Sequence, residues 1–321
     1  SNQCGRTTGK GPVMKKAALA VLMYVYTSLT SAAVINVEFK FTPFTGNAKQ
    51  DEQVTTVAGK ARVYLNNIFL AEQEVRQEKV PVLFEAREIA PSVWVPVASI
   101  GPALRRGRNT IRFDFEPGDA KASYRAQLRW AVVNDEATEQ RSAGQITSTN
   151  QSGEGVEEKA AAGKLSMARE FDAPFATEYP WHRAPAVTAL SSADRQALEA
   201  LVKARADSFR PPFEGVYAAL KTSPQIKVED VRKSKCLDKA YAAGVRIDAP
   251  TAGQLDATLT GNAEVVLRST SGDLFRPADP AKFQKIKGEE ARMCAGMALY
   301  SAFPPRMVVV RNPAGDWEAV Y

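Results

Sequence analysis

The chain has 321 residues, 45% hydrophobic and 24% charged, with one histidine and three cysteines. That length suits two ordinary domains with a core each, and that composition excludes a disordered or collagen-like chain. Four of the positive charges behind the formal net charge of +6 lie in the first 33 residues, leaving 38 basic against 36 acidic residues, so the near-balanced body gives no ground for a nucleic-acid partner.

Taken from the start, Met14-Lys15-Lys16, the apolar run Ala17 to Tyr26 and the small residues Ser31-Ala32-Ala33 have the layout of a bacterial secretory signal peptide. The apolar run is shorter than the ~20 residues that cross a bilayer. Residues 1–33 therefore read as a leader with an upstream extension. The mature chain is expected to be periplasmic or secreted, with no stable transmembrane anchor once the leader is cleaved. Cys4 would go with the leader. Cys236 and Cys294 remain, and an exported chain leaves two readings for them: a disulfide, or two separately buried thiols.

From Val34 the apolar residues alternate. Ile35, Val37, Phe39 and Phe41 share one face, as do Ile111, Phe113 and Phe115, and then Tyr124, Ala126, Leu128 and Trp130. Period-two patterning of this kind predicts half-buried strands. Further strands are expected at Val54 to Val57, Ala61 to Leu65, Ile68 to Leu70, Val80 to Phe84 and Val93 to Val97. Asn66-Asn67 fits a tight turn, since Asn tolerates positive φ. Many short strands with regular turns and no convincing helix mean an all-β sandwich over 34–135.

Val63-Tyr64-Leu65-Asn66-Asn67, then Trp94-Val95-Pro96, then Gly107-Arg108-Asn109-Thr110-Ile111 resemble the galactose-binding-like jelly roll, found in sugar-binding domains that accompany glycoside hydrolases. The resemblance implies the fold. Its motifs are structural, so sugar binding does not come with it, and Asn67 stands where Gly is usual. An immunoglobulin-like sandwich is the alternative.

Gln, Ser, Thr, Gly, Glu and Ala dominate after Ala137, so 136–170 reads as a flexible linker. The second domain is then 171–321. Ser191 to Asp194 looks like a helix N-cap, with Leu198, Leu201 and Val202 following at helical spacing. Helices are expected from there to Ala243, ended by Gly244. Strands follow at Leu255 to Leu259 and Ala263 to Ser269. Ala295 to Phe303 reads as strand or short helix, and a hairpin turns at Asn312 to Asp316. Helices and then strands give an α+β domain. This order, closing on Gly315-Asp316-Trp317-Glu318-Ala319-Val320, resembles the cone fold of nuclear-transport-factor-two-like and ketosteroid-isomerase-like proteins, which implies a pocket between sheet and helices.

Candidate chemistry is sparse. His182 is the sole histidine, no Gly-x-Ser-x-Gly elbow or phosphate-binding loop is present, and a histidine-based metal site is nearly excluded; no metal or cofactor is expected. Arg105, Arg106 and Arg108 in one loop suit an anionic polymer, and Trp94 suits stacking on a sugar. Asp256 and Glu264 lie on the predicted strands nearest the pocket, where a carboxyl with a raised pKa would support acid-base catalysis. The expected function is that of an envelope protein binding a glycan or another cell-envelope component at Trp94 and the arginine loop. A carboxylate enzyme using Asp256 or Glu264 is the alternative.

Overall fold

The structure, a computed structural model, describes residues 33–84, 87–135, 150–223 and 225–321. The leader and the 136–149 part of the expected linker lie outside them.

The chain is strand-rich. Its first part runs β1 (Val34–Thr45), β2 (Gln53–Thr56), β3 (Gly59–Leu65), β4 (Ile68–Val75), β5 (Lys79–Leu83), β6 (Glu88–Ile89), β7 (Val93–Pro96), β8 (Gly107–Pro117), β9 (Ser123–Asn134), β10 (Asn150–Ala162) and β11 (Leu165–Ala173). These form two antiparallel sheets. One has the order β10-β9-β1-β2-β5-β6, with β7 also on β1; the other has the order β11-β8-β3-β4. The alternating residues explain why the sheets meet. Phe39 and Phe41 of β1 and Leu128 of β9 face Ile111, Phe113 and Phe115 of β8 in one buried cluster. Phe41 and Phe113 stack with ring centroids 5.3 Å apart. Asn66 and Asn67 make the β3–β4 turn with φ of 51° and 62°.

The reading of 136–170 as a linker is corrected for the described residues. β10 pairs with β9 from Asn150↔Asn134 to Ala162↔Ser123, and β11 pairs with β8 from Leu165↔Phe115 to Ala173↔Gly107. β10 is an edge strand held largely by backbone bonds, so its composition carries little hydrophobic signal. β11 does alternate, through Leu165, Met167, Phe171 and Ala173. Arg169 interrupts the pattern, its guanidinium lying 3.3 Å from the centroid of the Trp130 ring in the facing sheet.

The second part holds α1 (Ser192–Asp207), α2 (Glu214–Leu220), α3 (Val228–Ser234), α4 (Cys236–Ala242), β12 (Ile247–Asp248), β13 (Leu255–Leu259), β14 (Val265–Ser269), β15 (Arg276–Pro277), α5 (Glu289–Ala302), β16 (Met307–Arg311) and β17 (Trp317–Ala319). Ser191 caps α1, its hydroxyl accepting from the Asp194 N–H while the Asp194 carboxylate accepts from Ser191. Between α3 and α4 the helical run is broken at Lys235, whose φ is 52°. Cys236 of α4 is disulfide-bonded to Cys294 of α5, with the Cα atoms 6.0 Å apart.

Strands β13-β14-β16-β17 make an antiparallel sheet whose central strands, β14 and β16, are buried on both faces. Val265, Leu267 and Val309 enter the core beneath the helices, while Val266 and Val308 enter the core of the two-sheet unit. The expectation of two separately cored units is thus also corrected: this sheet belongs to both cores. Its continuous apolar runs are what burial on both faces requires.

Candidate functional site

The junction between the two-sheet unit and the C-terminal sheet is organised by two asparagines. Asn66 Nδ2 donates to Asn109 Oδ1 at 2.9 Å and to the Ala103 carbonyl at 3.0 Å. Asn109 Oδ1 also accepts from the Arg105 N–H, and Asn109 Nδ2 donates to the Arg105 and Gly107 carbonyls. Asn109 is 1% exposed, so these bonds replace the water it gives up. The effect is to fix the loop before β8 and hold out Arg105.

Arg105 points into the junction. Its Nη2 lies 2.5 and 2.7 Å from the two oxygens of Glu264, which is fully buried, and its Nη1 donates to the His182 carbonyl at 2.6 Å. Arg106 Nε donates to the Ala176 carbonyl. His182 Nε2 is 2.8 Å from the Pro102 carbonyl, and its Nδ1 is 3.4 Å from the Tyr179 nitrogen. Burial pulls the His182 pKa below its ordinary value, against a smaller opposing pull from the Pro102 carbonyl. The neutral ring therefore carries its proton on Nε2 and accepts at Nδ1, using both nitrogens. These contacts pin the segment 176–189 against the molecule like a strap.

Past its pinned end the strap lines one side of a cleft of about 760 Å³. Trp181, Pro185 and Val187 belong to the strap side; Val310, Asn312 and Glu318 come from the β16–β17 hairpin. Trp181 stacks on Tyr179, with ring centroids 4.7 Å apart, and its Nε1 is buried with no acceptor among the described residues. The hairpin is fixed in turn. Arg311 pairs with Asp194 at 2.5 Å, and Trp317 Nε1 donates to the same carboxylate at 3.2 Å.

The structure separates the residues singled out from sequence. Arg105 is enclosed and ion-paired, so it is not available to a ligand. Arg106 is tied to the strap, and Arg108 is exposed at the start of β8. Trp94 stands 57% exposed on the outer face of β7, opposite Lys40 of β1, and does not share a patch with Arg105. Asp256 is exposed on β13, while Glu264 meets the arginine rather than an apolar cavity. The cleft was missed. Its one sequence signal is the run Tyr179-Pro180-Trp181-His182, which shows an ordered aromatic segment without saying what it crosses.

Among the described residues no group of three or more His, Cys, Asp or Glu is placed to hold a metal ion, and no helix is long and apolar enough to cross a membrane. The chain matches no protein-family model, no curated protein and no solved structure.

Proposed function

We propose that the protein is an exported binding protein whose ligand sits in the cleft between the strap 180–189 and the β16–β17 hairpin. The observation that carries this is the cleft itself: an apolar, indole-lined cavity of about 760 Å³ whose two sides are each held by buried or charge-assisted bonds. Pockets of this size with mostly apolar walls and a few polar groups suit small ligands. Trp181 and Pro185 offer flat apolar faces, and Asn312 and Glu318 offer hydrogen-bonding groups at the rim. That combination fits a ring with one apolar face, the chemistry of a sugar or glycan fragment. The Cys236–Cys294 disulfide supports a periplasmic or secreted location.

The test is a fluorescence and calorimetric titration with cell-wall glycan fragments, comparing Trp181→Ala with Trp94→Ala. Loss of binding in Trp181→Ala alone supports the cleft. Loss in Trp94→Ala alone moves the site to the outer sheet face, and no binding by the parent protein overturns the glycan reading.

That outer face is a second reading, favoured by one observation. Trp94 is exposed beside Lys40, which pairs with Glu88 at 2.8 Å, so an indole and two charged groups lie on one open strand surface. A jelly-roll-like arrangement of the first eleven strands is part of this second proposal. Its support is the alternation of consecutive strands between the two facing sheets, at β2–β3, β8–β9 and β10–β11.

A further inference from the structure

A surface helix ordinarily turns polar residues outward. The outward stripe of α5 is instead Met293, Gly296, Met297 and Tyr300. Met293 is 61%, Met297 58% and Tyr300 70% exposed. Glycine in a helix interior is unfavourable relative to alanine, and a Cβ built at Gly296 meets nothing within 4 Å among the described residues. Packing inside this chain therefore does not call for glycine there. Its effect is to leave the middle of the ridge low enough for another backbone to come close. Grooves of about 680 and 240 Å³ flank the ridge, with Met297 on the first and Gly296 and Tyr300 on the second. The bond between Cys294 and Cys236 holds α5 against α4, so the ridge is a fixed feature.

We infer that this ridge docks a second copy of the chain, with the two α5 helices antiparallel. The stripe is symmetric about the point between Gly296 and Met297: Met293 and Tyr300 are equally far from it. A two-fold axis there sets Met293 against Tyr300 of the second copy, a sulfur–aromatic contact, and sets Met297 over Gly296 of the second copy. The surrounding charges favour the same occupant. Lys227, Lys239 and Lys287 stand with Asp230, Glu289 and Glu290 around the larger groove and the helix start, three of each sign, and none is in an ion pair among the described residues. An anionic membrane or a strongly acidic partner would call for one sign; self-pairing needs both. Three exposed side chains cover only part of the roughly 800 Å² per partner of a standard interface, which defines a weak, reversible dimer.

Sedimentation velocity on the intact protein tests this, over a range from about 1 μM to about 1 mM chosen for an interface of that size. The expected result is a shift from monomer to dimer, weakened at least tenfold by Gly296→Arg and by Met297→Glu, with circular dichroism unchanged. Met297→Cys should give an intermolecular disulfide under mild oxidation, and Glu289→Cys should not. Methyl NMR resonances of Met293 and Met297 should move with concentration while those of buried Met167 and Met307 stay still. A monomer at every concentration overturns the inference, as does a dimer that survives both Gly296→Arg and Met297→Glu. A parent monomer whose Met293 and Met297 signals respond only to anionic vesicles would assign the ridge to a membrane surface and overturn it too.

Discussion

Arg105 and Glu264 show how one residue pair fixes the junction. Glu264 has no access to water, so removing Arg105 leaves a carboxylate with neither solvent nor an ion-pair partner among the described residues. Arg105→Ala is expected to cost about 3–5 kcal/mol in urea unfolding, whereas Arg105→Met with Glu264→Leu should fall close to the parent, because the desolvation penalty vanishes with both charges. A single variant as stable as the parent would show that the pair contributes nothing. Asp194 gives a pH signature. The Ser191 N–H above all, then the Ser191 hydroxyl, the Trp317 indole and the charge of Arg311, lower its pKa to about 2. Its unfolded value is about 3.9, so its contribution is complete above that pH and is lost as pH falls through about 2. Melting temperature against pH should lose part of this acid limb in Asp194→Asn, and an unchanged limb would remove Asp194 from the account. The sequence showed Asn66 with Asn67 as a turn and Ser191 with Asp194 as a cap, because those roles are local. It could not show that Arg105 meets a residue 159 positions away. The arginine loop therefore looked like a ligand contact when its first member is an internal one.

At the scale of elements, the Cys236–Cys294 bond ties α4 to α5 across a separation of 58 residues. Closing a loop of that length restricts the unfolded chain by about 4 kcal/mol in the chain-entropy model. Cys236→Ala with Cys294→Ala should lower unfolding free energy by that order, and reductant should destabilise the parent but not the double variant. Equal sensitivity of both to reductant would place the effect elsewhere. Legibility at this scale followed burial. β1, β3, β8 and β9 each bury one face and were readable from alternation. β10 was hidden because an edge strand needs little apolar surface, and Gly155 within it looked like linker composition. Its real constraint is close approach: an added Cβ would fall 2.1 Å from Trp130 Cζ2. The strap was hidden for a related reason, since it is held by carbonyl groups that every residue carries.

For the molecule as a whole, the decisive element is the sheet that both cores share. Val265-Val266-Leu267 and Met307-Val308-Val309 send consecutive side chains to opposite faces, one toward the helices and one toward the two-sheet unit. Runs of this kind are the sequence mark of burial on both faces. Because the C-terminal sheet lines both cores, neither unit unfolds without exposing apolar surface of the other. Calorimetry on the parent should therefore give one cooperative transition, with calorimetric and van't Hoff enthalpies equal. Val308→Asp places a charge in the two-sheet core without touching the helical face, and Val309→Asp does the reverse. If the cores are coupled, both substitutions lower the same single transition. Should Val308→Asp lower only one of two resolved transitions and leave the helical unit at the parent's temperature, the shared sheet would be a contact surface and not a structural joint.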